Sequence, residues 1–386
     1  MIKTLAIANF RSINNLVFPL SQLNVITGAN GCGKSNLYKA LRLLAETAQG
    51  NVISAIAKEG GLESVLWAGP EKISRNMQRG EVPIQGTKRQ NAIRLHLGFT
   101  EDDLGYSISL GLPEPIPGGT AFAQDPEIKN ETIWAGEWYK PTRTLVERKG
   151  PLIQVKDGHQ TQVLTQHTPN YEGLFGQVAL HSDCPEVFRL REIIRNWRFY
   201  DYFRTDQEAP ARKPQLGTRT PVLHHDGHDL AAALQTIQEV GDADLLAQTI
   251  HDAFPDSSLI IRKDGFFTVM LQQLGILRPL AAQELSDGTL RYLLLTAALL
   301  TPRPPSLMIL NEPENSLHSD LLPALARLII NASKHSQIWI ISHSKRLINA
   351  LEQQSDCNTI ELEKVLGQTT IKGQRMLDTP AWYWPT

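Results

Sequence analysis

The stretch "LNVITGANGCGKSNLYKAL", Leu23 to Leu41, decides the fold. Leu23 to Thr27 is a short apolar run with strand character. Gly28-Ala29-Asn30-Gly31-Cys32-Gly33-Lys34-Ser35 then fits GxxxxGK(S/T) in full. Leu37, Ala40, Leu41 and Leu44 fall on one face of a following helix. Strand, glycine loop and helix make the context that a phosphate-binding loop requires. Gly28, Gly31 and Gly33 permit torsions that turn consecutive N–H groups toward phosphate oxygens. The helix N-terminus adds partial positive charge. Lys34 is expected to reach the β- and γ-phosphates and Ser35 to ligate magnesium. The plainer reading, a glycine turn ahead of a helix, accounts for neither the lysine nor the hydroxyl. Cys32 inside the loop reads as a redox-sensing thiol or as small filler; no resolving partner for a sensor is evident.

Three segments nearer the C-terminal end complement the loop. "ELSDGTLRYLLLTAALL" places Ser286 and Gly288 at the head of a helix that is apolar nearly all round, hence buried. A helix start with a free amide suits a γ-phosphate, although Ser286 alone could be a plain N-cap. "SLMILNEPENSLH", Ser306 to His318, is a buried strand delivering Asn311 and Glu312, with Pro313 preventing its continuation. "IWIISHS" is another buried strand ending at His343. One helix, roughly Asp320 to Ser333, separates the two strands, so parallel neighbours would bring His343 beside Glu312. A lone histidine at a strand end is otherwise structural.

These motifs, in this order, resemble the ABC-type ATPase heads of the RecF, SMC and OLD group. The opening "LAIANFRSINNLVFPLSQLNVITGANGCGKSN" looks like the same group. The chain is also similar, nearly end to end, to small bacterial AAA-type ATPases with a RecF-like head; "GTRTPVLHHDGHDLAAALQTI" is among the matching stretches. The resemblance implies an α/β fold: an ABC-type P-loop NTPase head, with a mixed sheet core, an antiparallel β lobe and a helical lobe. It implies ATP and Mg2+ as cofactors and a head-to-tail dimer. Each nucleotide would meet Asn30, Gly31, Cys32, Gly33, Lys34, Ser35, Asn36 and Arg11 of one copy, and Ser286 and Gly288 of the other. Ser35 and Asn311 would serve the metal, while Glu312, His343 and Lys34 would be catalytic. Asn311 stands where the group usually has aspartate; asparagine keeps an acceptor oxygen and loses a charge, so metal binding should weaken.

The implied activity is slow ATP hydrolysis driving a switch in DNA maintenance or phage defence. The alternatives are an ATP-gated scaffold without turnover and a transporter motor. About 250 residues separate phosphate loop from signature, which within this group favours the RecF and SMC branch. No heptad run persists to make a coiled coil there. No Toprim nuclease domain of the kind OLD proteins carry is expected within these residues, so a nuclease is expected to be a separately encoded effector.

The 386 residues, 41% hydrophobic and 20% charged, are ordinary for a globular protein. A net charge of −2 gives no global pull toward nucleic acid or anionic membrane. Three scattered cysteines, no signal-like N-terminus and no run near ~20 apolar residues lead us to expect a cytoplasmic protein with no membrane span. The expected layout is an N-terminal ATPase lobe over 1–175 with a β-rich subdomain, a helical or inserted lobe over 176–275, and a C-terminal ATPase lobe over 276–386. Strands are expected at Ala92–Phe99, Gly105–Leu110, Thr132–Trp138 and Leu152–Lys156, with loops at 70–91 and 112–130. The glutamine loop has no clear location; Gln78 and Gln85 are the guesses.

Three further features carry two readings each. Arg189 to Arg219 interleaves basic and aromatic residues, as a nucleic-acid surface does, or is a solvated helix followed by a core strand. "HHDGH", His224 to His228, could ligate a metal or simply turn the chain into a helix. Trp382, Tyr383 and Trp384 could dock on the head itself or on a partner.

Overall fold

The computed structural model describes residues 1–71, 74–79, 81–83, 92–114, 118, 120–157, 160–178 and 184–385. In chain order the first elements are β1 (Thr4–Phe10), β2 (Ile13–Pro19), β3 (Leu23–Gly28), α1 (Lys34–Thr47), α2 (Val52–Lys58), α3 (Leu62–Val65), α4 (Arg75–Gln78), β4 (Leu95–Thr100), β5 (Leu104–Gly111), β6 (Glu127–Ala135), β7 (Thr144–Lys149), β8 (Leu152–Asp157), β9 (Gln160–Thr165), α5 (Leu174–Gln177) and α6 (Pro185–Arg195). There follow β10 (Arg198–Tyr200), α7 (Leu230–Val240), α8 (Ala243–Ala253), β11 (Ser257–Arg262), β12 (Thr268–Gln273), β13 (Leu280–Ala281), α9 (Asp287–Leu299), β14 (Leu307–Asn311), α10 (Leu322–Ala332), β15 (Gln337–Ile341), α11 (Lys345–Glu352), β16 (Cys357–Val365) and β17 (Gln368–Ile371). Two compact units result: Met1–Leu20 with Gly28–Asn196 and Ile360–Thr386, and Ser21–Thr27 with Trp197–Thr359. Of the glutamine guesses, Gln85 lies outside the described residues, as does the side chain of Gln78.

The first unit is built on an antiparallel sheet of eight strands in the order β2-β1-β4-β5-β6-β7-β8-β9. β5 is buried along its whole length, while β9, at the edge, is largely exposed. The strand expected at Gly105–Leu110 falls in the buried β5, whereas the polar, exposed β9 gives no such pattern. β6 begins at Glu127, inside the stretch expected to be loop, and ends at Ala135, short of Trp138. Its early residues are polar apart from the buried Ile128, and Asn130 pairs across to Ser109 and Lys149, so the ladder carries the polar ones. Arg148 and Glu131 are both fully buried in the middle of this sheet. Arg148 donates to the carbonyls of Gly150, Pro169 and Glu172 as well as to Glu131. Tyr106 donates to Glu131 at 2.8 Å. Burial raises the Glu131 pKa, with Arg148 pulling the other way. The C-terminal tail packs on the same unit: Trp382 meets Trp134 edge-on at 5.8 Å, and Trp384 lies 5.1 Å from His96. Gly98 leaves the space, since a Cβ there would sit 2.7 Å from Trp382.

The second unit holds four parallel strands in the order β10-β14-β15-β3. β14 and β15 are almost wholly apolar and buried, as strands covered on both faces must be. α9 is buried at every position from Leu290 to Leu299, and α7 from Leu230 to Ile237. Together with α8, α10 and α11 they close a single core around the sheet. A small antiparallel sheet, β11-β12-β13, has its first two strands in the stretch 176–275 expected to be a helical or inserted lobe and its third just beyond it. Among the described residues no helix is long and apolar enough to cross a membrane.

Candidate nucleotide site

In the first unit, the phosphate loop has the backbone its glycines foretell. Gly28, Gly31 and Gly33 take φ values of 140°, 78° and 116°. The space where a Gly31 side chain would stand is open, and Ser35 is exposed. No side chain caps the N-terminus of α1. Its first N–H groups therefore lack both helical and side-chain acceptors, which suits an anion. Lys34 is buried and donates to the carbonyls of Gly28 at 2.7 Å and Ala29 at 3.0 Å. Cys32 is buried, with Sγ 3.9 Å from the Lys34 ammonium. Asn30 and Gly31 are exposed at the tip.

The loop is braced from behind by residues far away in sequence. Thr369 on β17 donates from Oγ1 to the Cys32 carbonyl at 2.8 Å and shares a hydrogen bond with the Ser12 hydroxyl at 2.7 Å. Asn36 donates to the same Ser12 oxygen at 2.7 Å. A Cβ on Gly33 would fall 2.0 Å from Thr369 Oγ1, and one on Gly28 would fall 2.2 Å from the Leu362 carbonyl. Arg11 sits at the β1–β2 turn with φ 50° and pairs with Glu59, which also binds Lys39 at 2.8 Å. The Lys39 hydrogen bond and the charges of Lys39 and Arg11 hold the Glu59 carboxyl below its usual range, against burial.

In the second unit, parallel register lines up three strand ends. Asn311 pairs with Ile341, and Ile341 with Ile26. The next residues are Glu312, Ser342 and Thr27, so the acidic dipeptide and the switch segment share an edge with the strand that runs into the phosphate loop. His343 Nε2 lies 3.1 Å from Glu312 Oε1. Glu312 has φ 49°, a left-handed backbone that β-extended neighbours do not share. Its N–H donates to the Ile341 carbonyl at 2.8 Å, and the buried Arg291 donates to its carbonyl at 3.1 Å. Asn315 donates to Glu312 Oε2 at 2.7 Å.

Glu314 was not singled out in the sequence, yet it organises the switch segment. Its Oε1 accepts from the Ser342 hydroxyl at 2.5 Å, from the His343 N–H at 2.9 Å and from the Ser344 N–H at 3.1 Å. The proline-flanked "EPE" spelling is the signal that could have found it.

At the signature, Ser286 is the N-cap of α9 and accepts from the Thr289 N–H at 3.1 Å. Ser286 is exposed at the helix start, and Gly288 and Thr289 are half-buried. Gly288 permits a close approach, since a Cβ there would sit 2.9 Å from the Ser316 carbonyl. Arg212, inside the basic and aromatic stretch from Arg189 to Arg219, is buried. It donates to the carbonyls of Ala282 and Leu285 and to Asp287, so it pins the signature loop. Other charges of that segment are paired: Arg189 with Asp103, Arg204 with Asp206, Lys213 with Glu208. Trp197, Tyr200 and Phe203 are buried at a spacing of three, because β10 stops at Tyr200 and the alternation of a longer strand does not develop.

The "HHDGH" segment makes a turn into α7. Asp226 Oδ1 accepts from the His228 N–H at 3.0 Å and lies 2.7 Å from Nδ1 of both His224 and His228. Those bonds outweigh burial and hold the Asp226 carboxyl well below its usual range. The three side chains could close on a metal ion, but as they stand they satisfy one another.

Comparisons with known proteins agree with the motif order. No curated protein matches the chain. Among solved structures, the SMC head bound to the C-winged helix domain of ScpA superposes with a TM-score of 0.55 at 14% identity, covering 96% of this chain and 97% of that one. An SMC head with an extended coiled coil, bound to the C-terminal domain of ScpA from Pyrococcus furiosus, gives 0.50 at 14% identity, covering 96% and 95%. At such identity the likeness shows the fold alone, that of an SMC head domain. Residues 23–349 match the family described as "AAA domain, putative AbiEii toxin, Type IV TA system", and with most of its length inside that match, the chain belongs to this family.

Proposed function

We propose that this chain binds Mg·ATP and hydrolyses it slowly, closing as a head-to-tail dimer over the nucleotide. The single observation that carries the reading is the shared edge of β14, β15 and β3, which brings Glu312 and His343 to the sheet end that continues into the phosphate loop. The residues fit the cofactors. The uncapped start of α1 and the N–H groups of Gly31 to Ser35 would hold the phosphates, and the Ser35 hydroxyl and Asn311 would serve the cation. Bound Mg2+ would neutralise charge on the β- and γ-phosphates. Lys34 would leave the Gly28 and Ala29 carbonyls for the same phosphates. Glu312, oriented by His343 and Asn315, would accept the proton of an attacking water. Ser286 and Gly288 would complete the pocket of a second copy, which gives the exposed signature a use that a monomer lacks.

The switch would act in defence or DNA maintenance through a separately encoded effector, such as a nuclease. The toxin–antitoxin wording of the family description supports defence over transport. The SMC heads above carry a bound ScpA domain, which supports a docked partner for this chain as well. An ATP-gated scaffold without turnover remains the second reading, favoured by the amide of Asn311 in place of a carboxylate. Phosphate release by the wild type and by Glu312→Gln tests the choice. Slow release that Glu312→Gln abolishes is expected. Equal background rates in both, with ATP retained in a stable dimer, would establish the scaffold instead.

A further inference from the structure

The acidic strand of this chain ends on an amide, and the neighbouring strand ends on the missing charge. β10 runs parallel to β14 with Tyr200 opposite Leu310. The residues that follow are Asp201 and Asn311, so the register sets them side by side at the edge that carries Glu312. The Asn311 amide donates from Nδ2 to Asp201 Oδ1 at 3.4 Å, and both residues are half-buried.

Two consequences follow from that contact. With Nδ2 turned to Asp201, the carbonyl Oδ1 of Asn311 faces elsewhere and can accept from a metal-bound water. A formal negative charge also stands beside an amide that has none. For a cation held through water, charge close by matters nearly as much as charge on the ligand itself.

We propose that Asp201 supplies the negative charge that Asn311 lacks, so that the Asp201–Asn311 pair together does for Mg2+ what one aspartate would do. This rests on the Mg·ATP reading above. Asp201 is a positioning residue here: it orients the amide and adds field, and it acts on the cation through Asn311. A purely structural Asp201, tying two strand ends together, would make its charge irrelevant.

Charge exchange separates these cases. Mn2+ is titrated into the full chain with a non-hydrolysable ATP analogue, and free Mn2+ is read by electron paramagnetic resonance. Asp201→Asn should weaken nucleotide-dependent Mn2+ binding by about 10-fold or more, the scale of outer-shell losses at metal sites. Asp201→Asn combined with Asn311→Asp should recover it to within about threefold, because the charge returns on the other strand. Analogue binding in EDTA should stay unchanged in all three proteins, which also certifies folding. Wild-type affinity in Asp201→Asn, or no recovery in the double variant, would overturn the inference. If the wild type itself binds no more Mn2+ with the analogue than without, the nucleotide reading falls, and this inference with it.

Discussion

His343 Nε2 and Glu312 Oε1 stand 3.1 Å apart, although 31 residues separate them in sequence. The contact exists because β14 and β15 are parallel neighbours in register and each ends at the same level. Glu312 is further fixed by its left-handed backbone and by Arg291 at its carbonyl. In the proposed reaction Glu312 would be the base, and His343 would set the orientation of its carboxylate. His343→Ala is expected to lower ATP turnover by about 10-fold or more while ATP affinity stays within a few-fold. Combining it with Glu312→Gln should add almost nothing to the loss from Glu312→Gln alone, since the two act as one unit. Single-turnover phosphate release on the four proteins measures this; additive losses would dissolve the pair.

Glu314 gives a stability prediction. One carboxylate oxygen takes three donors from Ser342, His343 and Ser344, while Oε2 is buried with no hydrogen-bond partner. Glu314→Ala removes the acceptor from all three donors, of which only the Ser344 N–H keeps another, the Ser342 hydroxyl at 3.0 Å, and should cost about 1–3 kcal/mol. Glu314→Gln keeps a carbonyl acceptor and should cost less than half as much. Urea midpoints at constant slope read both. Equal losses would mean that the carboxyl's shape, rather than its acceptor, holds the switch segment.

The brace behind the phosphate loop predicts a graded pair. Gly33→Ala meets both a positive φ of 116° and the Thr369 hydroxyl, 2.0 Å from the new Cβ. Strain of about 2–3 kcal/mol in the loop converts to roughly 100-fold weaker ATP binding. Thr369→Val preserves shape and removes the hydroxyl's hydrogen bonds to the Cys32 carbonyl and to Ser12, so a loss of about fivefold is expected. Fluorescent-nucleotide titration measures both. A Thr369→Val protein as impaired as Gly33→Ala would show that the contact does more than brace.

What could be read in the sequence and what could not divide along one physical line. Leu23 to Ser35, "LMILNE" and "IWIISHS" announce themselves because buried parallel strands are continuous apolar runs, and because loop glycines are needed at fixed spacing. Contacts across long sequence separation carry no such local mark. Thr369 behind Cys32, Asp201 beside Asn311 and Arg212 under Asp287 are products of strand order and packing. Composition misled in two places. Arg212 lies in a stretch that reads as basic, and arginines usually are exposed; two of its carbonyl partners, Ala282 and Leu285, lie 70 and 73 residues away. β6 looked like loop over its first residues because Glu127, Lys129 and Asn130 are polar, and only Ile128 beside them is buried, while the backbone ladder pairs Glu127 and Asn130.

His96 carries the pH prediction. It lies in β4 against Trp384 of the tail, half-buried, with ring centroids 5.1 Å apart. Burial first, and the charge of Arg94 second, depress its pKa from 6.5 to about 4. The sign follows from the proton count. Between pH 6.5 and about 4 the unfolded chain takes up a proton that the folded chain refuses, so stability falls as pH falls through that window. Above it the group contributes no pH dependence. The full depression corresponds to about 3 kcal/mol as an upper bound, reduced by partial exposure. Imidazole signals in NMR should therefore show His96 neutral at pH 5.5, when exposed histidines are mostly protonated. Trp384→Ala should open the ring to water, move its midpoint back toward 6.5, and flatten this part of the urea-stability profile between pH 4.5 and 7. A His96 midpoint near 6.5 in the wild type, or no change on Trp384→Ala, would mean that the tail does not cover this ring in solution.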